Sequence, residues 1–359
     1  MASHNPLTKR QEAVLDAVVR AYIANARPVG SRMLVRQYGF GVSPATVRNT
    51  MADLEEMGYL KRWHVSSGRV PTDAGYKYYV DLLLNFEPLT YEQRLRIDND
   101  FRDGPCDLPT LLERTSKRLA FESHCAGVVK GPQAGRRRLS QLELVRLAPK
   151  KLLVVLIDNL DTVHNYMAML DQPLSRAQVG EVTDVMNALL CDESPDGTPR
   201  VTVEEQVNEL RGRLADISPE ALAILDGLPL GEFDGKIYID GTSSILEQPE
   251  YRDPAMSRAV LNVLMATDQL SRLLQKADVT REGVMFLIGG DTDVPCAADI
   301  SVVIAPYRIG DHPVGALGVI GPRRMHYDRA ASLVNYTSQM LSEVLTESFG
   351  SSWSDDEIN

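Results

Sequence analysis

One short stretch holds the side chains best placed to act on a partner. In SPATVRNTMADLEEMGYL, from Ser43 to Leu60, residues Ser43, Ala45, Thr46, Arg48 and Asn49 bring hydroxyls, a guanidinium, a carboxamide and a small methyl into two helical turns. Groups of these types hydrogen-bond base edges and phosphate oxygens. A second set follows around Ser66-Ser67-Gly68: Lys61, Arg62, His64 and Arg69, with Trp63 among them. Cations interleaved with an aromatic residue suit the flank of a polyanion. The chemistry on offer is recognition, not bond making.

The elements that must position these groups are legible. Ser43 is a hydroxyl N-cap and Pro44 fits the first helical position, so a helix starts there. Val47, Met51 and Leu54 recur at i, i+4 and i+7 and must face a core. The opposite face is Ala45, Asn49, Ala52 and Glu56, flanked by Thr46 and Arg48. Asp53, Glu55 and Glu56 crowd the last turns, oppose the helix dipole and would repel phosphate. Only the first two turns can therefore meet DNA, as the N-terminal residues of a recognition helix do.

Upstream, Thr8 can cap a helix carrying Val14, Val18, Ala21 and Tyr22, which Pro28 ends. Ser31 can cap a second helix, Arg32 to Tyr38, closed by Gly39. Downstream, Tyr59 to His64 and Arg69 to Pro71 read as two short strands, the proline marking an edge. Three helices and a basic hairpin make a winged helix-turn-helix. A small helical domain with ordinary surface charges, or a winged helix that contacts protein, is the plainer alternative. If the wing lies on DNA, Arg69→Ala should reduce the salt dependence of binding by about one phosphate.

The charge distribution agrees. The chain of 359 residues has a net charge of -11, yet residues 1–82 carry 11 Lys and Arg against 7 Asp and Glu, and the remainder 27 against 42. A basic end on an acidic body confines polyanion contact to that end. The length implies two or three domains. No apolar run approaches the ~20 residues of a membrane span. The first residues lack a signal-peptide core, and the four cysteines form no Cys-x-x-Cys pair. These point to a cytoplasmic protein with no membrane partner, disulfide framework or zinc site.

SPATVRNTMADLEEMGYL, followed by SSGRVPTDAGYKYYVDLL, closely resembles the heat-inducible transcription repressors of bacteria, the HrcA family. The opening LTKRQEAVLDAVVRAYIANARPVGS and the late IGPRRMHYDRA are similar to the same family. The resemblance implies a repressor of chaperone genes that binds double-stranded operator DNA, the inverted-repeat CIRCE element, as a homodimer. It implies the GroEL chaperonin as the partner that promotes activity. Carried over by position, Ser43 to Met57 is the recognition helix, with Ser43, Ala45, Thr46, Arg48 and Asn49 at the DNA. Lys61, Arg62, His64 and Arg69 are the wing contacts.

The acidic body reads as α+β. Residues 86–104 form a linker with room for one helix, and Leu111 to Phe121 a helix. Cys125–Lys130, Leu139–Leu147, Lys151–Asp158 and Thr162–Leu170 are strand-like. Arg136-Arg137-Arg138 between them is either an anion site or, more simply, a solvated turn. After helical stretches and one long helix, Ser257 to Lys276, strands return at 284–288, 300–307 and 314–320. A last helix follows. The fold class is α+β multidomain: a winged helix-turn-helix over 1–85, then strands interrupted by a mostly helical insertion. The resemblance names these a GAF-like domain, 105–199 and 281–349, and an inserted dimerisation domain, 200–280; a polar tail, 350–359, ends the chain. Exposed faces of the 257–276 helix and of the insertion are candidate dimer surfaces.

No phosphate-binding loop or nucleophile elbow is present. KIYIDGT, from Lys236, lacks the second aspartate of a phosphotransfer loop. The six histidines show no metal-ligand spacing. Catalytic, cofactor and metal sites are therefore not expected. The alternative left open is a winged-helix regulator controlled by a small ligand in the GAF-like domain; an enzyme with an appended nucleic-acid domain is a third class.

Overall fold

The computed structural model describes residues 7–63, 68–102, 107–132, 139–160, 162–191, 206–208, 211–212, 222, 224, 235–279, 283–292 and 299–353. Helix α1 spans Lys9–Asn25, α2 Ser31–Tyr38 and α3 Pro44–Glu56. Thr8 closes a capping box with Gln11, and Ala26 ends α1 in the left-handed conformation, two residues before Pro28. Ser31 is not the cap of α2: Gly30 takes that position without a side-chain bond, and Ser31 is already helical. Val47, Met51 and Leu54 are buried as their spacing requires. Each contributes about 1.5–3 kcal/mol by leaving water, so Leu54→Ala would cost ~2–5 kcal/mol.

The wing is β1, Leu60–Arg62, antiparallel to β2, Arg69–Pro71, with Arg62 opposite Arg69. Arg69 also exchanges both backbone hydrogen bonds with Val29, at 2.9 Å each, so the wing is tied to the turn before α2. Gly68 makes this possible: a Cβ there would sit 2.4 Å from the Val29 carbonyl oxygen. Thr72 caps α4, Asp73–Tyr78, as its position before Asp73 suggests. The expected linker contains α5, Tyr91–Arg102, which packs on α6, Leu108–Ser123.

A five-stranded antiparallel sheet forms the body. It contains β3, Ala126–Lys130; β7, Ile237–Asp240; β8, Met285–Ile288; β9, Ile300–Ile309; and β10, His312–Pro322. Their order is β7-β3-β10-β9-β8. One face, with Val129, Val303, Ala305, Leu317 and Val319, joins a core continuous with α1 to α4, α6 and the last helix, α11, Tyr327–Trp353. The other face, with Val128, Val302, Ile304 and Ala316, is covered by α8, Thr242–Leu246, α9, Pro254–Met265, and α10, Thr267–Gln275. A sheet covered on both faces explains why β9 and β10 are buried along nearly their whole length. The single helix expected over 257–276 is two helices, broken at Ala266; the bend lets Val260, Val263 and Leu264 and then Leu270, Leu273 and Leu274 reach the same face. The last helix runs to Trp353, into the expected tail.

The strands between β3 and β7 do not join this sheet. Strands β4, Leu139–Ala148, β5, Lys151–Asp158, and β6, Val163–Met169, form a separate antiparallel sheet. It has its own core with α7, Arg176–Cys191, and with Val207 and Ile224. Asn187 donates to the Leu142 carbonyl at 2.7 Å and accepts from its N–H at 2.8 Å; Gln206 accepts from the Leu139 N–H at 2.7 Å. The described residues of 139–191 thus lie outside the main sheet, and α8 to α10, within the range expected of an insertion at 200–280, cover that sheet. The run LLVVLI of β5, from Leu152 to Ile157, is apolar on both faces. Leu152, Val154 and Leu156 are buried, while Leu153, Val155 and Ile157 are half-buried on the opposite face, outside that core.

Candidate nucleic-acid interface

Ser43 Oγ accepts the Thr46 N–H at 3.2 Å and lies 3.0 Å from the Thr46 hydroxyl. Ser43 therefore acts first as the cap that fixes where α3 begins, and Thr46 is half-buried beside it. Ala45, Arg48 and Asn49 are exposed within the first two turns. The structure brings these three onto one open face while Val47 and Thr50 turn inward. Thr50 donates to the Thr46 carbonyl at 3.2 Å, which keeps its hydroxyl off the surface.

The wing cations divide. Lys61 is exposed. Arg62 is also exposed, but its Nε lies 2.8 Å from Glu55 Oε1. Arg69 Nη2 lies 2.8 Å from Glu55 Oε2, and the Arg69 side chain is only 12% exposed. His64 lies outside the described residues, as do Arg136, Arg137 and Arg138. Glu55 is thus more than an acid that repels phosphate. Partial burial favours its neutral form, but hydrogen bonds from Arg69 and then Arg62 outweigh that and hold its carboxyl below the ordinary range. One carboxylate of α3 fixes the wing against the helix.

Sequence reasoning passed over Arg32 and Arg36 on α2. Both are exposed, one turn apart, on the helix that packs against α3. Their signal was the excess of basic residues in the first 82 positions. It also passed over the seam to the body. Arg323 Nη2 lies 3.2 Å from Asp73 Oδ1, Lys77 Nζ 2.5 Å from Asp291 Oδ1, and Arg324 Nη1 donates to the Ile23 carbonyl at 3.0 Å. Gly289, at φ +55°, lets Asp73 approach; a Cβ there would be 2.5 Å from Asp73 Oδ2. The paired arginines of IGPRRMHYDRA are therefore the docking point of the helical domain.

A profile for the HrcA protein C-terminal domain matches residues 109–331. The heat-inducible transcription repressor HrcA of Syntrophobacter fumaroxidans is 34% identical over 342 residues, which cover 95% of this chain and 98% of the relative. This chain belongs to the HrcA family. The HrcA of Geobacter sulfurreducens is 34% identical, over 94% of this chain and 98% of its own. That of Chlorobium phaeobacteroides is 36% identical, over 95% and 99%. A crystal structure described as a hypothetical protein covers 96% of this HrcA-family chain and all of its own, at 22% identity and a TM-score of 0.60, and so shares its fold. The late IGPRRMHYDRA segment lies within the matched region, and its paired arginines, Arg323 and Arg324, lie at the seam between the helical domain and the sheet. Among the described residues no group of His, Cys, Asp and Glu could hold a metal, and no helix is long and apolar enough to cross a membrane.

Proposed function

We propose that this protein represses heat-shock chaperone operons by binding an inverted-repeat operator, the CIRCE element, as a homodimer. The GroEL chaperonin promotes that activity. The observation that carries the reading is the open face of α3: Ala45, Arg48 and Asn49 exposed in the first two turns, with the acids held back and one of them engaged by the wing. In this reading α3 enters the major groove. Lys61 and Arg62 grip the flank, and Arg32 and Arg36 reach the backbone from α2. The relatives' names carry heat-inducible repression of transcription; the operator, the chaperonin and the chaperone-gene target rest on the resemblance to the family.

The five-stranded sheet with helices on both faces is the GAF-like domain, and the unit built on β4 to β6 and α7 is the dimerisation domain. The open face of its three-stranded sheet supports that assignment. Val145, Leu153 and Met167 stand side by side across the strands, next to the row holding Val155. Val163 is 58% exposed and Met169 70%. Glu143 and Asn165 flank Val155, so the face is apolar along β5 and in the Val145–Leu153–Met167 row, with polar positions at its sides. Exposed apolar surface rimmed by polar residues marks a protein contact, and a second copy meets it symmetrically, as a two-fold operator requires. The test is a footprint on the protein's own chaperone promoters with and without chaperonin. Protection of two symmetric half-sites that strengthens with chaperonin is expected. Protection elsewhere, or a single half-site, would remove the reading.

A further inference from the structure

A cavity of about 690 Å³ opens where the linker, the end of α6 and the segment after β10 meet. Leu89, Phe121, Met325 and Leu333 give it an apolar lining, and Arg96, Arg324 and Arg329 stand in its wall. Its size is that of a small-molecule site, as is the pairing of apolar lining with a few convergent charged groups. The lining also holds two acids, Glu87 and Glu122.

Each guanidinium already holds a carboxylate, and the three pairs differ in how they could open. Arg96 Nε lies 2.8 Å from Glu122 Oε1, whose side chain is 4% exposed. Arg324, 12% exposed, pairs with Glu250 and also donates to the Ile23 carbonyl of α1. Arg329 grips Glu87 in a fork, Nε to Oε2 at 2.9 Å and Nη2 to Oε1 at 3.3 Å, but these side chains are 67% and 48% exposed. An exposed ion pair is worth little in water, so Glu87 can leave Arg329 at small cost. Its carboxylate occupies the bidentate geometry a ligand carboxylate would take.

We propose that this cavity binds a small organic carboxylate with an apolar body. The carboxylate displaces Glu87 from Arg329, and the body lies on Leu89, Met325 and Leu333. The site also borders Arg324, so its occupant would touch a group that holds the helical domain to the sheet. Binding is a property of the DNA-free chain and stands or falls independently of the operator reading.

The test is calorimetric titration of the full chain with octanoate and with octanamide, which has the same body and no charge. Octanoate should bind with one site per chain, and octanamide about tenfold more weakly or worse. Arg329→Gln should weaken octanoate about tenfold. Glu87→Gln should tighten it several-fold, because the internal competitor is gone; a purely structural ion pair would give loss or no change. Both substitutions are at exposed side chains, and unchanged thermal melting confirms the fold. Equal binding of octanoate and octanamide, no heat at millimolar octanoate, or no tightening in Glu87→Gln would overturn the proposal.

Discussion

Glu55 of α3 and Arg69 of the wing form an ion pair, with Arg69 Nη2 2.8 Å from Glu55 Oε2 and Arg69 almost entirely covered. The carboxylate's other oxygen lies 2.8 Å from Arg62. Helix and wing are thereby held as one unit; with Arg69 engaged internally, the proposed reading gives the wing's phosphate contact to the exposed Lys61. Lys61→Ala should lower the slope of log affinity against log salt by about 0.9. Arg69→Ala should leave that slope unchanged while costing about 1.5–3 kcal/mol of folding stability. Salt titrations and urea melts separate the two. A reduced slope with intact stability in Arg69→Ala would return that residue to the DNA.

Arg48 and Asn49 are exposed on the first turns of α3, where a side chain reaches base edges. Replacing either by alanine should cost ~1–3 kcal/mol on the operator if it reads a base. The same loss on random DNA would make that residue a phosphate contact instead. Competition binding with both duplexes at one salt concentration distinguishes the cases.

Acid should loosen the wing. The Glu55 carboxyl lies below its ordinary value of 4.5, since burial, which would raise it, is outweighed by its two arginine partners. The unfolded chain therefore binds this proton more tightly than the folded chain. The pair's contribution is complete above the ordinary value and fades as pH falls through the lower, folded one. The stability gap between the wild-type chain and Glu55→Gln, from urea melts, should shrink as pH falls below about 4.5. A gap that stays constant into strong acid would mean the pair contributes nothing.

The open face of the three-stranded sheet should be covered in solution. Met167 is 43% exposed, beside Leu153 and next to the row holding Val155. Met167→Glu combined with Val155→Arg should give monomers in sedimentation and weaken operator binding, because two linked half-sites become one. Dimers that persist would place the contact elsewhere, with the paired helices α9 and α10 next in line.

The helical domain was legible almost residue by residue because its signals are local. Ser43-Pro44, the Val47, Met51 and Leu54 spacing and Gly39 act within a few positions of the chain. The wing's geometry was less so. Glu55 and Arg69 are fourteen positions apart, and only the hairpin brings them together. The body was legible as strands and helices but not as two sheets. Which strands pair depends on which faces are covered, and Leu153, Val155 and Ile157 look like core in sequence although they lie outside the core that α7 closes. The seam of Asp73 with Arg323 and Lys77 with Asp291 joins residues more than two hundred positions apart. No periodicity reports such a contact.

The central claim is that α3 and the wing read a specific sequence. It is tested most directly by the affinity of the full chain for an inverted-repeat operator duplex and for a scrambled duplex of the same length and composition, at one salt concentration. The operator should bind at least about 10³-fold more tightly, as sequence-reading proteins do. Equal affinity for the two duplexes would contradict it and leave a basic surface that holds DNA without reading it.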